Sequence, residues 1–295
     1  MNDILAYYDK ITLEEMSSIR LMNRIDTKFV TTMPVLMRLL EMARDAYWVQ
    51  DIDGERNMRY ETTYYDTDDF DMFRVHQSGH TNRQKLRFRT YVSSQLQFME
   101  VKTKNNHGRT KKKRMKVTDM SLDDEEKRTF LTTHLHYDIP TLIPALSNSF
   151  DRVTLVNKAK TERLTIDTNL SFHNLVTGID KKMYPLVIVE LKRDGLCYSP
   201  VLAILRQLRV FPHGFSKYCI GSALTNNQLR VNRFKRKIIE INKIIHNSQL
   251  TIHNFRANRE QSRIHSDFAE TQPKIEANAS IHNYSQAHQL RSHNS

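Results

Sequence analysis

Glycine is scarce in this chain, with 7 residues among 295. No Gly-rich phosphate loop of the Walker or dinucleotide type can be found. Any phosphate bound here must therefore be held by side chains. Cysteine is scarcer still: Cys197 and Cys219 cannot build a disulfide framework and point to a reducing, cytoplasmic compartment. No run of about 18 apolar residues exists, so no transmembrane helix is expected. The opening Met1-Asn2-Asp3-Ile4-Leu5 lacks the basic and apolar regions of a signal peptide. Acidic residues are outnumbered, 33 against 45 Lys and Arg, giving a net charge of +12 and a pI near 9.6. An anionic partner follows: nucleic acid, polyphosphate, a nucleotide or an acidic membrane.

What the chain does contain is a set of inverted strands. In Arg83-Gln84-Lys85-Leu86-Arg87-Phe88-Arg89, the cations Lys85, Arg87 and Arg89 share one strand face, with Leu86 and Phe88 on the other. A row of like charges is unfavourable unless water or an anion screens it. One such strand is a solvated edge. The pattern recurs, however, in Arg24, Asp26 and Lys28; in Glu100, Lys102 and Lys104; in Arg163 and Asp167; and in Glu190 and Lys192. Charged faces turned away from a greasy core suggest a closed antiparallel barrel with a polar lumen. A few carboxylates among many cations suggest a divalent metal beside an oligoanion. The competing arrangement is an open, two-faced sheet with its charges in bulk water.

Between the strands, helices are expected over residues 3–21, from Thr32 through Ala43, from Ser121 to Leu135, over 141–149 and from Ser199 to Arg209. Val231, Phe234, Ile238, Ile241 and Ile245 step by three and four and mark an amphipathic helix over about 228–246. Residues 1–246 read as one folded domain. Residues 247–295, rich in Asn, Gln, Ser and His, read as a disordered polar tail whose histidines lack metal-ligand spacing. Asp66, Asp68, Asp69 and Asp71 read as a turn with a helix cap. His76 and His80 read as surface residues, Trp48 as core, and the two cysteines as inert buried thiols.

Seven short motifs then occur in order: Arg24-x-Asp26-x-Lys28, Tyr64-Tyr65-Asp66-Thr67, Lys85-x-Arg87-x-Arg89-x-Tyr91, Glu100-x-Lys102, Arg163-Leu164-Thr165-Ile166-Asp167-Thr168, Val189-Glu190-x-Lys192 and Phe215-Ser216-Lys217-Tyr218. Over residues 15–240 this resembles the VTC domain, the polyphosphate polymerase branch of the CYTH-like triphosphate tunnel metalloenzymes. The resemblance implies an α+β fold: a closed antiparallel eight-stranded tunnel with a polar lumen, flanked by helices. It implies transfer of the γ-phosphoryl of ATP to a growing polyphosphate chain with a divalent metal, Mn2+ or Mg2+. Matched by position, Lys28, Arg87, Arg89, Lys102, Lys192 and Lys217 would act on the phosphates. Lys85, Arg163 and Arg24 would help to bind substrate, and Glu190 and Glu100 would serve the metal. The family's Tyr-x-Arg arginine upstream of the Arg163 position is replaced by Lys158 within Val156-Asn157-Lys158. The Glu-x-Glu-x-Lys signature of thiamine triphosphatase and class IV cyclase relatives is absent. Membrane-anchored relatives carry transmembrane and regulatory segments that this chain lacks, which leaves room for a membrane-protein partner.

Two other functions fit the residues. One is a tunnel-type hydrolase of inorganic triphosphate or a nucleotide 5′-triphosphate. The other is a polyphosphate or nucleic-acid binding module without turnover. Phe88, Phe98 and Tyr91 could stack on single strands, but Phe88 alternates away from the cations, which disfavours nucleic acid.

Overall fold

The computed structural model describes residues 1–17, 19, 21, 24–106 and 109–249. The chain begins with α1 (Asn2–Ala6), β1 (Lys10–Ile11) and α2 (Leu13–Ser17) rather than one helix over 3–21. The break has a cause. The Tyr8 ring is buried and its hydroxyl donates to the Leu40 carbonyl, while Lys10 and Ile11 pair in parallel with Val49 and Gln50. After the break, Thr12 and Glu15 cap α2 reciprocally at 2.7 and 3.2 Å.

The remaining strands are β2 (Arg24–Thr32), β3 (Tyr47–Gln50), β4 (Met58–Thr67), β5 (Arg83–Tyr91), β6 (Leu96–Lys104), β7 (Thr110–Val117), β8 (Leu142–Asn157), β9 (Glu162–Asn174), β10 (Asp180–Lys182) and β11 (Leu186–Asp194). They form a sheet whose main path runs β2-β11-β9-β8-β4-β5-β6-β7, antiparallel at every step. Among the described residues β2 and β7 share no ladder. The eight-strand path is therefore curled but open, and closure belongs to expectation. The curl is tight enough that Lys102 on β6 feels the charges of Lys28 and Glu190 near the other end of the path.

The helix expected over 141–149 is the first half of β8 instead. Its apolar residues suit either period, and pairing with β4 and β9 decides the outcome. Pro144 sits where the β4–β8 register shifts, next to Tyr64 and Tyr65, the kind of irregularity a strand proline needs.

Two helical covers hold the convex side. The first combines α3 (Met33–Ala43), which follows β2, with α6 (Pro200–Gln207). α4 (Asp71–Ser78) follows β4, and α5 (Glu125–His134) forms the second cover after β7. α6 (Pro200–Gln207) and α7 (Lys217–Thr225) follow β11, and residues 232–249 form a last helix, starting and ending later than the expected 228–246. Leu36, Leu39 and Leu40 of α3, with Val201 and Leu205 of α6, bury Phe29, Val187, Val189, Leu164 and Ile166. Each fully buried leucine contributes about 1.5–3 kcal/mol. Leu131 of α5 packs with Leu86, Phe88, Met99 and Val101. The greasy strand residues thus face outward into helices, and the charged ones face the concavity. Part of the concave face is itself apolar. There Val30, Ile188, Tyr64 and Phe150 meet Tyr218 and Ile220 of α7 and Phe234 and Ile241 of the last helix.

No helix among the described residues is long and apolar enough to cross a membrane. Residues 250–295, most of the expected tail, lie outside the described residues.

Candidate functional site

Register builds the site. Opposed residues on neighbouring strands point to the same face. Lys28 on β2 stands opposite Glu190 on β11, and Glu190 opposite Thr165 on β9. One step along, Lys192 stands opposite Arg163. Glu190 lies between two ammonium groups: it pairs with Lys28, and its Oε2 is 2.6 Å from Lys192 Nζ. Burial alone would raise its pKa, but Lys192 and Lys28 outweigh that and hold it far below the usual carboxylate range.

Glu100 on β6 has the same arrangement. Arg87 Nη2 reaches it at 2.6 Å and Lys112 Nζ at 2.8 Å, leaving it 1% exposed. Against the cost of burial, Arg87 and Arg89 bring its pKa down to about 2. The third acid is Asp167 on β9. Arg152 on β8 chelates it at 2.6 and 2.8 Å, and Lys217, the first residue of α7, pairs with the same carboxylate. Burial opposes ionisation of Asp167, yet Arg152 and Lys217 keep it ionised.

Two stacked rings lie beneath this cluster. Tyr60 and Phe150 are 5.4 Å apart and within 5° of parallel. Arg89 sits 5.8 and 5.9 Å from the two centroids, Arg152 5.3 and 5.1 Å, and Lys217 Nζ is 3.7 Å from that of Phe150. Arg89 is buried with no carboxylate partner among the described residues; its one hydrogen bond, to Thr62 Oγ1, is 3.4 Å long. Burial, then Arg87 and Arg152, push its pKa down to about 10. The rings give these cations a favourable surface without consuming their charge.

Lys102 has no carboxylate partner among the described residues either. The residue is exposed as a whole, but loss of bulk water, then Arg87 and Lys28, lower its pKa to about 8. Lys217 is also lowered to about 8, first by burial, with Asp167 opposing and Arg152 adding to the shift. Lys85 points to the cap of α7, with Nζ 2.8 Å from Ser216 Oγ.

The structure thus brings together Lys28, Lys85, Arg87, Arg89, Lys102, Lys192, Lys217, Glu100 and Glu190. Arg163 shares the face but donates to the Met16 carbonyl at 3.2 Å, and Arg24 pairs with Asp26 at 2.7 Å near the rim. Lys158 stands apart. It lies in the turn after β8, exposed, 3.1 Å from Asp9. The arginine the concavity holds on β8 is Arg152; Asp167 of β9 and Lys112 of β7 join it there. Its sequence signal was the aromatic-x-arginine spacing of Phe150 and Arg152, with phenylalanine in place of tyrosine.

His76 is half-buried rather than on the surface, and burial followed by Lys85 and Arg83 pulls its pKa down to about 2. Cys219 is buried, while Cys197 is half-buried. Asp66 is a helix cap: it accepts the amides of Met72 and Phe73 at 2.8 and 3.0 Å.

A divalent metal fits this donor set only in part. Among the described residues no group of three His, Cys, Asp or Glu side chains converges. Glu100 is sealed between Arg87 and Lys112, so it cannot turn to a metal without orphaning both. Glu190 is more open. A hard cation held by one or two carboxylates and completed by substrate phosphates and water suits it.

A family model described as the VTC domain matches residues 23–226. No curated protein matches the chain. Among solved structures, the adenylyl cyclase-like HpAC1 from Hippeastrum, titled as having a dominant triphosphatase activity, is 13% identical. It covers 68% of this chain and 96% of its own, with a TM-score of 0.43. The PH1819 protein of Pyrococcus horikoshii is 15% identical, covers 68% and 98%, and has a TM-score of 0.38. The Pct1 RNA triphosphatase of Schizosaccharomyces pombe is 10% identical, covers 87% and 89%, and has a TM-score of 0.28. At these TM-scores the likenesses carry no functional inference.

Proposed function

The chain belongs to the VTC domain family, and on that premise we propose that it is a polyphosphate polymerase. The supporting observation is an imbalance of charge. Lys28, Lys85, Arg87, Arg89, Lys102, Lys112, Arg152, Lys192 and Lys217 share one concavity with Glu100, Asp167 and Glu190. An oligoanion is the ligand that completes such a site.

In the proposed reaction an oxygen of the terminal phosphate of the acceptor chain attacks the γ-phosphorus of ATP. The bond from the γ-phosphorus to the β–γ bridging oxygen breaks, and ADP leaves with that electron pair. The acceptor oxygen is already ionised, so no side-chain base is required. Catalysis is positioning and charge neutralisation. Arg87 and Arg89 present planar forks to phosphate oxygens, and Lys28, Lys102, Lys192 and Lys217 act as point charges. Glu190 would hold the divalent ion, Mn2+ or Mg2+, which supplies further charge neutralisation when bound. Water-poor walls and the stacked rings strengthen each of these interactions.

Two variants test the reading with ATP and a divalent ion. Lys102→Met orphans no carboxylate, and Arg87→Ala leaves Glu100 its Lys112 partner. Both are expected to abolish ATP-dependent polymer while the folded circular-dichroism spectrum persists; polymer formation by both at the wild-type rate would contradict it.

A further inference from the structure

From Lys85 and Lys102 of the concavity a line of cations continues toward α4. Arg83 and Lys104 oppose each other directly across β5 and β6, and so do Lys85 and Lys102. Like charges in direct cross-strand opposition destabilise a sheet unless something neutralises them. Among the described residues none of these four side chains has a carboxylate within ion-pair distance. The helix over 232–249 adds to the same group. Its Phe234 packs on Phe73 and His76 of α4, with ring centroids 5.8 and 6.0 Å apart. Its Lys237 Nζ lies 3.2 Å from the position a Cβ on Gly214 would occupy. Gly214 is two residues before Ser216, the hydroxyl that Lys85 contacts. His76 stands among these groups, kept neutral by burial and by Lys85, Arg83, Lys237 and Lys104, and its Nδ1 has no hydrogen-bond partner.

We propose that Arg83, Lys85, Lys104 and Lys237 form a second oxyanion subsite, one that holds phosphates of an inorganic chain remote from the reacting end. Lys237 comes from a helix that lies outside the segment matched by the family model. Arg83 and Arg87 are four residues apart on one strand, about 13 Å. A ligand touching both must carry several phosphates. Inorganic chain is favoured over nucleic acid because the aromatic rings here, Phe73, Tyr218 and Phe234, are buried and offer no stacking face. The inference rests on the concavity being an oligophosphate site.

The test compares wild type with the Lys104→Gln/Lys237→Gln double variant by calorimetry. The probes are tripolyphosphate and long-chain inorganic polyphosphate, with a single-stranded oligonucleotide as competitor. The double variant is expected to bind the long chain about tenfold more weakly, with a shallower salt dependence, and to bind tripolyphosphate as wild type does. Its melting temperature should stay level or rise, since charge repulsion is relieved. Unchanged affinity for the long chain, equal loss for both probes, or displacement of the long chain by the oligonucleotide as readily as by polyphosphate would overturn the subsite. Wild type binding neither probe would instead overturn the oligophosphate reading itself.

Discussion

Arg152 and Asp167 face each other across β8 and β9, joined by two hydrogen bonds of 2.6 and 2.8 Å. Asp167 also holds Lys217, so one carboxylate positions two cations from different elements. Removing Arg152 leaves a buried acid with half its neutralisation. Arg152→Ala is expected to lower stability by about 3 kcal/mol, and Arg152→Ala/Asp167→Ala to recover part of that. Neither variant should bind tripolyphosphate at wild-type affinity. Chemical denaturation combined with calorimetry reads both effects, and full recovery of binding in the double variant would deny Arg152 contact with phosphate.

How visible was this arrangement in the residues alone? The faces of β2, β5, β6, β9 and β11 were legible because charged and apolar side chains alternate over part of each strand. β8 was not. Ser147, Asn148, Ser149 and Asp151 blur its alternation, the preceding apolar residues suit a helix, and Arg152 sits beside a register shift between β8 and β9. Lys158 stands in Val156-Asn157-Lys158 where the family's Tyr-x-Arg arginine is expected, but the turn after β8 carries it away. Ion pairing was the least legible feature. Nothing local says that Glu100 will be closed in by Lys112, because that contact depends on β6–β7 register.

Lys102 and Lys217 both titrate near pH 8 in the free protein, below the ordinary lysine value of 10.5. Between about pH 8 and 10.5 the unfolded chain holds more protons on these two lysines than the folded one, so their contribution to the stability of the unliganded protein rises with pH across that window. Affinity for tripolyphosphate should move the other way and fall above about pH 8 as the two ammonium groups discharge. Binding measured from pH 7 to 10 in wild type and in Lys102→Met checks this. The variant should show weaker binding and a flatter decline.

Asp66 ties α4 to α7. It accepts the amides of Thr67, Met72 and Phe73 and the hydroxyl of Tyr218, the residue next to Lys217. Asp66→Ala is expected to cost about 3 kcal/mol, and Tyr218→Phe about 1 kcal/mol, since the latter leaves the three amide bonds in place. Thermal melting checks the order, and equal costs would mean that the hydroxyl carries the whole link.

Glu190 is the carboxylate left open enough to meet a metal ion. Glu190→Gln should remove the dependence of tripolyphosphate binding on added Mn2+ while leaving metal-free binding in place, because Lys28 and Lys192 are released toward the ligand. Titration with and without the ion reads the difference. A metal response as large as that of wild type would place the ion elsewhere.

The most direct measurement is of product. Purified protein is incubated with γ-labelled ATP and Mn2+, and the products are resolved by electrophoresis and tested for sensitivity to a polyphosphatase. Labelled chains many phosphates long, with ADP formed in step, are expected. Orthophosphate as the sole labelled product would contradict polymerase action and leave a triphosphatase.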